Sequence, residues 1–458
     1  MNLKAIVIVV LTAFLLIPLG MIENKIHERE NYRYHAADSI ARSWTGEQRL
    51  YTPFLLQTWK SESVVQVYDK NSQNYVSQIK HGHHRRFLPL SEVKLNLEVE
   101  TERRQKGIYS FPVYTAKVQL QGHLKKTEWQ ALRDSIQNKA DFSQFTGASI
   151  VIAVSDPRGF MGVPSMALNG ETKKMLSGTG IQDLHQGLRV TLPDKVEALK
   201  LHSQFSLRGM RAMQIVPVAL EVDVAMQSPW AHPAFVGSSL PVERNVSSDG
   251  FTALWQLTEF SSGVVGKLDD CERKNCASLI DMSFGVTFLD GVDIYLQATR
   301  AAKYGILFIV LSFVTFFLYE TLKKLRIHPV QYTLVGLAIT IFYLLLVSLS
   351  EHIPYALAYI LATIACVTLL SYYLRFVLGA WKDAGLFALL YTTLYGLLYV
   401  IIRSEDTAML MGTLLLFLVL AGVMVLTRNI DWYEVGPDKL KSDRSLSDWL
   451  PGRKSEPQ

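Results

Sequence analysis

The sequence predicts an α+β membrane protein with six transmembrane helices, one N-terminal and five C-terminal, and a large β-rich, sandwich-like domain between them. Six apolar runs approach the roughly 20 residues that a helix needs to cross about 30 Å of hydrocarbon. Between the first and second runs, short stretches alternate apolar and polar residues, as half-buried strands do. The 458 residues are 49% hydrophobic and 19% charged, with a mean hydropathy of +0.16, as expected for a chain that joins a polar part to a membrane part.

The first apolar run indicates an uncleaved signal anchor at residues 1–22. The run AIVIVVLTAFLLIPLGMI follows Lys4, and no A-x-A-like cleavage site comes after it. Residues 23–46 continue with helix-forming residues, among which Ile26 and Ile40 fit one helical face. We therefore expect a stalk helix that continues the anchor.

Residues 47–303 form the predicted β-rich domain. Segments such as VKLNLEVETE, TAKVQLQGHL and ALEVDVAM alternate apolar and polar residues, and turn-forming residues separate them. This pattern favours antiparallel sheets packed like a sandwich. One stretch, Thr127–Lys139, has helical spacing instead, and it suggests two β subdomains at 51–125 and 147–290.

The remaining apolar runs predict a five-helix bundle at residues 304–427, followed by a tail at 428–458. Lys and Arg concentrate in alternate connectors, for example Lys323, Lys324 and Arg326 after the second run. Because positively charged connectors stay in the cytoplasm, both termini are expected there and the large domain outside. The predicted spans of the bundle are Tyr304–Leu322, Gln331–Ser350, Tyr355–Phe376, Leu386–Ile402 and Ala408–Thr427.

The net charge of +5 and the isoelectric point near 8.8 do not indicate a nucleic-acid partner. The basic residues of the membrane half lie where the positive-inside rule places them, so topology accounts for much of the excess. The lipid bilayer is the expected partner, and the basic tail is expected to be attracted to anionic lipid.

The cysteines suggest a local disulfide outside the membrane. Cys271 and Cys276 enclose four residues of the external block, whereas Cys366 lies in a predicted span. In an oxidising compartment the first pair is expected to close a small loop. Free thiols or part of a metal site are the alternatives, and the metal site would lack two further ligands nearby.

Five long segments are distinctive and lie in order along nearly the whole chain: 103–122, 151–160, 228–256, 316–352 and 426–433. They resemble the CreD family of bacterial inner-membrane proteins. This resemblance implies six spans, a large periplasmic part, and a role in envelope integrity and the envelope stress response, with altered colicin tolerance. It implies no catalytic activity and no cofactor, and it does not imply the cysteine bridge.

An aromatic set in and around the 228–256 segment is a candidate surface for a hydrophobic or glycan ligand or a partner. It includes Trp230, His232 and Phe235, with Phe251 and Trp255 nearby. The alternative is that these large side chains fill a sheet core or meet the membrane surface.

Two basic motifs also suggest binding sites. Arg158, in the sequence SDPRGF, is a candidate clamp for an anion such as a phospholipid head group, although a single arginine beside a turn is usually structural. His81, His83 and His84 form the densest histidine cluster. A solvated basic turn is favoured over a metal site there, because no carboxylate or thiol partner is evident.

Tyr391, Tyr395 and Tyr399 recur every four residues and place three hydroxyls on one face of the fifth span. This polar seam suits a path for lipid or substrate, or a helix–helix interface with shared hydrogen bonds. Glu320 and Glu351 lie near the ends of spans rather than at mid-depth, which disfavours an ion-coupled transporter.

The sequence contains no P-loop, H-E-x-x-H, G-x-S-x-G or G-x-G-x-x-G in the required context. We therefore expect a non-enzymatic envelope component without a cofactor or metal, whose β domain binds a periplasmic envelope protein or lipid. The alternative is a protein that transports or presents a lipid-like or envelope molecule through the helix bundle.

Overall fold

The computed structural model describes residues 2–69, 74–125, 142–193, 198–273, 275–288, 294–323, 325–404 and 407–428. The chain forms two compact units. One is Arg33–Val292, and the other combines Met1–Tyr32 with Asp293–Gln458. The helix predicted at Thr127–Lys139 lies outside the described residues.

A single helix, α1, spans Asn2–Ser43 and includes both the predicted anchor and the predicted stalk. Its stretch Ile6–Ser43 is long and apolar enough to cross a membrane. At the C-terminal end, Ala37 and Ile40 pack against Phe111 and Met210 of the β-rich unit. The last part of the helix therefore belongs to that unit.

The β-rich unit has sixteen strands among its described residues. In chain order they are β1 Gln48–Tyr51, β2 Phe54–Asp69, β3 Asn74–Lys106, β4 Tyr109–Leu124, β5 Phe142–Ala153, β6 Phe160–Leu168, β7 Glu171–Lys174, β8 Leu176–Ser177, β9 Gly187–Thr191, β10 Leu199–Met210, β11 Ala212–Val216, β12 Ala219–Ser228, β13 Pro233–Gly237, β14 Glu243–Ser247, β15 Gly250–Thr258 and β16 Phe284–Phe288. Short helices α2 Glu259–Ser262, α3 Val264–Glu272 and α4 Ala277–Ile280 follow β15.

The strands form a twelve-stranded sheet and a four-stranded sheet. The long strand β3 organises the larger one, because its first half pairs with β2 and its second half pairs with β4 on one edge and, in parallel, with β12 on the other. The smaller sheet has the order β1-β11-β16-β13. The β-rich domain is thus confirmed, whereas its sandwich shape stays a prediction.

Strand pairing does not follow the expected division at 51–125 and 147–290. Strand β5 pairs with β2, β10 pairs with β4, and β12 pairs with β3. Hydrogen bonds therefore join strands of both ranges in one sheet, which alternation along the sequence alone does not reveal. The observed unit is Arg33–Val292 as a whole.

The largest core cluster contains residues from both sheets. Trp255 of β15 lies at 0% exposure within it and packs against Phe284 of β16, with ring centroids 5.5 Å apart. Alternation explains the burial, since Val93, Leu95, Leu97 and Val99 of β3 face inward. The polar residues between them face the opposite side of the sheet.

The membrane unit contains α5 Ile294–Lys303, α6 Gly305–Lys323, α7 Pro329–Ser350, α8 Tyr355–Leu378, α9 Trp381–Arg403 and α10 Ala408–Thr427. In the described part of the chain, five stretches are long and apolar enough to span a membrane: Ile6–Ser43, Ile294–Lys323, and helices α7, α8 and α9. In α10 the apolar stretch is the shorter Leu410–Val425, so the sixth span stays a prediction.

Acidic residues near the helix ends of this unit serve packing. The buried Glu320 carboxylate accepts hydrogen bonds from the Tyr332 hydroxyl at 2.8 Å and from the Ile327 amide at 3.1 Å. The Glu351 carboxylate accepts one from the Tyr295 hydroxyl at 3.1 Å. Glu320 thereby ties the α6–α7 connection to the first turn of α7.

Candidate ligand groove

A row of polar side chains crosses the outward face of the twelve-stranded sheet. Glu98 pairs in register with Lys117 on one side and Gln227 on the other, Gln227 pairs with Thr252, and Thr252 pairs with Asn245. Residues directly opposite each other on paired strands share a face. Five strands from two separate parts of the chain, 74–124 and 219–258, therefore bring these side chains into one line.

A second row runs beside the first, two residues along each strand. Asn96 pairs with Gln119 and Ala225, Ala225 pairs with Leu254, and Leu254 pairs with Glu243. The side chains in this row change from amides at one end to small and aliphatic residues in the middle. Together, the two rows combine amide and hydroxyl groups with charged side chains and with the apolar side chains of Ala225 and Leu254.

The two rows line a depression of about 500 Å³, and a second depression of about 460 Å³ adjoins it. Both are bordered by Glu98, Gln227, Asn245 and Thr252, so they are parts of one open groove. We call this surface the polar groove. Its size suits a small ligand or a segment of a partner.

Acidic side chains outnumber basic ones along the polar groove. Lys117 pairs with Glu100 at 2.6 Å, and this hydrogen bond raises the pKa of Lys117. The guanidinium of Arg244 lies 5.8 Å from the centre of the Phe235 ring. Basic groups on the groove are thus already engaged, and the surface favours neutral or cationic groups over anions. The acidic residues of the lining are Glu98, Glu100, Glu243 and Asp249, and the basic ones are Lys117 and Arg244.

The aromatic set predicted as a ligand surface lies against the core. Phe251 and Trp255 are buried, and the Phe235 ring packs on both of them at 5.8 and 5.9 Å. Trp230 is partly buried, and its indole N–H donates to the carbonyl oxygen of the exposed His232 at 3.2 Å. The aromatic rings thus form part of the packing on which the groove strands rest, and a ligand role for Trp230, His232 and Phe235 stays a prediction.

Arg158 contacts protein groups. Its guanidinium donates to both carboxylate oxygens of Asp156, at 2.9 and 2.6 Å, and to the carbonyl oxygen of Arg42 at 2.7 Å. Burial raises the pKa of Asp156, but the hydrogen bonds and charge of Arg158 outweigh it, so the pKa is lowered. The contacts of Arg158 therefore hold the end of α1, and anion binding by this residue stays a prediction.

Cys271 lies in the last turn of α3, and Cys276 directly precedes α4. Both are buried, with Cα atoms 4.0 Å apart and sulfur atoms at bonding distance. A disulfide requires that the two sulfur atoms approach to bonding distance. The bridge remains a prediction that thiol alkylation tests. Within the described residues, Cys366 is free and buried.

The tyrosine seam lies inside the membrane unit. Tyr391 and Tyr395 are fully buried, and Tyr399 is partly buried with its ring 5.0 Å from that of Tyr359. The Tyr359 hydroxyl donates to the carbonyl oxygen of Tyr395 at 2.7 Å, while the Tyr395 hydroxyl lies 3.3 Å from the sulfur of Cys366. These contacts join α8 to α9, as in a helix–helix interface. A path for a ligand along the seam stays a prediction.

The histidine cluster lies on strand β3. The Nδ1 atom of His81 is 3.3 Å from Glu62, and His84 stacks on Trp59 and lies 2.7 Å from the Ser61 hydroxyl. Alternation places His81 on one face of the strand and His84 on the other. Among the described residues, no group of three or more His, Cys, Asp or Glu side chains has the arrangement to hold a metal ion.

Sequence reasoning did not identify the amides of the polar groove. Asn96 and Gln119 appeared only as the polar members of alternating strands, and Gln227 and Asn245 lie far from them in the chain. Their neutral amide character was a visible signal. Only the structure shows the strand register that brings these amides together.

Comparison with known proteins identifies the family. The CreD family, described as "Inner membrane protein CreD", matches residues 1–433. The chain is 33% identical to "Inner membrane protein CreD" of Escherichia coli (strain K12) over 436 residues, which cover 94% of each protein. A solved chain titled "Structure of native yeast LTA4 hydrolase" aligns with 45% of this chain and 30% of its own length at 8% identity, with a TM-score of 0.19 that supports no inference. The protein belongs to the CreD family of inner membrane proteins.

Proposed function

We propose that the protein is a non-enzymatic component of the cell envelope whose β-rich unit binds a polar partner through the polar groove. The observation that carries this proposal is the register of Lys117, Glu98, Gln227, Thr252 and Asn245, which places hydrogen-bonding groups from five strands on one concave surface. Neutral amides bind partners without a strong charge preference, and the surplus of acidic groups disfavours anions.

The proposal includes a topology. The β-rich unit faces the periplasm, both termini are cytoplasmic, and α10 completes six spans of the inner membrane. The 20 residues of Ala408–Thr427 support the sixth span, because a helix of this length extends about 30 Å. The basic residues Lys323 and Arg326, between the second and third spans, support the orientation.

Through this binding the protein would contribute to envelope integrity and to the envelope stress response, with an effect on colicin tolerance. The groove supplies binding, and the helices keep it at the membrane. No catalytic residue set is needed for this role, since recognition rests on hydrogen bonds and shape.

The test is a substitution that fills the groove without touching the core. Gln227→Lys places a long cation at the centre of the first row, where Glu98 and Thr252 flank it. We expect loss of the envelope phenotype that the wild-type gene restores to a deletion strain, at unchanged protein level. Thr172→Lys, at an exposed position of β7, is the matched control and should behave like the wild type. Full restoration by Gln227→Lys would contradict the proposal.

A second candidate function is the presentation of a lipid-like molecule by the bundle. An apolar groove of about 470 Å³ supports it, since such a surface suits an acyl chain. Tyr304 and Val310 line one side of this groove, and Gly412 and Leu416 line the other. Replacing Gly412 with Leu fills the groove and should abolish the phenotype if this function is the relevant one.

Replacement of the tyrosine seam gives an independent test of the second function. Phe at positions Tyr391, Tyr395 and Tyr399 removes three hydroxyls and keeps the rings. An unchanged phenotype at normal protein level would count against a hydroxyl-lined path and would leave the groove proposal intact.

A further inference from the structure

Strand β14 forms an end of the twelve-stranded sheet. It pairs with β15 across the two-residue turn Ser248–Asp249, which the pair of Ser247 and Gly250 closes. Among the described residues, no other strand pairs with β14. All five residues of the strand are exposed to solvent. The side of β14 that points away from β15 is therefore a free edge, to which another chain can add.

The backbone of β14 presents unpaired groups along this edge. The closing pair of a hairpin with a two-residue turn exchanges both backbone hydrogen bonds, and such pairs recur at every second residue. Ser247, Asn245 and Glu243 therefore bond to β15. The N–H and C=O groups of Arg244 and Val246 point away from it and have no hydrogen-bond partner among the described residues. An added strand satisfies such a line of alternating donors and acceptors.

The two faces of β14 differ in chemistry. Glu243 and Asn245 face the polar groove. Val246 faces the opposite side because it pairs with the buried Phe251, and 47% of its surface is exposed. The partly buried ring of Phe235 packs on Phe251 on this second side. A strand added to β14 would cover the exposed part of Val246 on one face and extend the polar surface of the groove on the other.

The other two ends of the same sheet, β7 and β8, are less open to an added strand. Strand β7 has the sequence ETKK, in which three of the four residues are charged. Charged side chains, and lysines above all, protect edge strands from pairing with other chains. Strand β8 has only two residues. Strand β14 is longer, contains no lysine and carries the aliphatic Val246, so it is the end that best suits a further strand.

We propose that the polar groove binds its partner through β14, and that this partner is an extended polypeptide segment that joins the sheet as a further strand. The inference rests on the proposed function, because Glu243 and Asn245 belong both to β14 and to the lining of the groove. The side chains of such a segment alternate between the two faces of the sheet. Basic or neutral polar residues suit the face with Glu243, and aliphatic residues suit the face with Val246.

A second copy of β14 complements this edge less well. Antiparallel pairing of two copies about Asn245 would place Arg244 of each copy opposite Val246 of the other. It would also bring the acidic polar grooves of the two copies side by side on one face. A segment that alternates basic and aliphatic residues avoids both of these mismatches.

Binding of a short synthetic peptide to the full-length protein in nonionic detergent tests the proposal. The peptide alternates lysine with valine and carries a fluorescent label, so that anisotropy reports its binding. Two further versions carry N-methyl groups either on the amides of the lysines or on those of the valines. Because only one edge of the added strand meets β14, we expect one version to bind about tenfold more weakly and the other to keep its affinity within about twofold.

A proline on the edge strand gives the matched comparison in the protein. Val246→Pro removes an N–H that is not bonded to β15, and edge strands tolerate proline at such positions. Thr172→Pro makes the same change on β7, where the pair of Leu168 and Glu171 also closes a two-residue turn. We expect Val246→Pro to weaken binding of the unmethylated peptide about tenfold, and Thr172→Pro to bind it like the wild type.

Three outcomes would overturn the proposal. The first is equal binding of the two methylated peptides, and the second is equal binding of the unmethylated peptide by the two proline variants. The third is a dimer that Val246→Pro, but not Thr172→Pro, converts to a monomer, because a second copy then occupies the edge.

Complementation of the deletion strain separates this inference from the proposed function. Failure of both Val246→Pro and Gln227→Lys to restore the envelope phenotype supports the two together. Failure of Gln227→Lys alone keeps the polar groove as the binding surface and overturns strand addition at β14. Restoration by Gln227→Lys contradicts the proposed function, whereas the peptide measurements report on the edge of β14 by themselves.

Discussion

Removal of the Asp156 side chain should loosen the end of α1 from the β-rich unit. Asp156 holds the guanidinium of Arg158 with two hydrogen bonds, and Arg158 donates to the carbonyl oxygen of Arg42 in the last turn of the helix. Asp156 also caps a short 3-10 turn by accepting from the backbone amide of Arg158 at 3.1 Å. One carboxylate thus supports both the turn and the attachment of the helix.

The magnitude follows from these contacts. The ion pair between Asp156 and Arg158 contributes at most about 0.5–1 kcal/mol, because the Arg158 side chain is 56% exposed to solvent. Loss of a cap adds about 0.5–1 kcal/mol. Asp156→Ala should therefore cost about 1–2 kcal/mol of local stability, whereas Asp156→Asn, which keeps a capping oxygen, should cost about 0.5–1 kcal/mol.

The effect has a defined pH dependence. Because the pKa of Asp156 is lowered in the folded protein, the charged carboxylate stabilises the fold at pH values above 3.8, the pKa of the group in the unfolded chain. That contribution is lost as the pH falls through the lower folded pKa. The difference between wild type and Asp156→Asn should therefore be full near neutral pH and shrink in acid.

Hydrogen exchange measured by mass spectrometry on the full-length protein tests this prediction. We expect amides near Ser43 to exchange about 5- to 30-fold faster in Asp156→Ala and about 2- to 5-fold faster in Asp156→Asn, since 1.4 kcal/mol corresponds to a factor of ten. Each variant is compared with wild type at the same pH. Equal exchange in all three proteins near neutral pH would refute the reasoning.

Three further predictions follow from single sites. Burial raises the pKa of Glu272, although the carboxylate accepts a hydrogen bond from the Phe87 amide. The stability of the fold should therefore fall as the pH rises above 4.5. Glu272→Gln should reduce this dependence of thermal stability on pH, and an unchanged slope would contradict the prediction. Glu320→Ala should lower the free energy of unfolding by about 1–3 kcal/mol, because the Tyr332 hydroxyl loses its acceptor. Glu320→Gln should lower it less, and thermal stability in detergent measures both effects. Equal losses would argue against the hydrogen bonds as the cause. In protein denatured without reductant, Cys271 and Cys276 should resist alkylation, and modification of both would exclude the bridge.

The apolar runs predicted α7 and α8 closely because length and hydropathy are local properties. The spans expected at 331–350 and 355–376 correspond to α7 and α8, which end within two residues of those bounds. In the same way, alternation in VKLNLEVETE predicted which side chains of β3 face the core. Each of these inferences needs only the neighbouring residues.

The sheet pairing was not predictable by the same reasoning. The parallel pairing of Glu98 with Gln227 joins two distant segments of the chain, and the local sequence pattern does not specify its register. The sequence did not reveal the length of β3, because the histidine cluster and Pro89 interrupt the alternation of apolar and polar residues. The polar groove depends on that register, so the sequence alone did not identify the residues that line it.

The most direct measurement is photocrosslinking in living cells from a reactive amino acid placed in the polar groove. Probes at Gln227 and Asn245 should give the same specific crosslinked species, while a probe at the exposed Thr172 of β7 gives none. Loss of the crosslink when Gln119→Lys is added would show that the partner contacts both rows. If the groove probes capture nothing beyond the Thr172 control, the polar groove is not the binding surface.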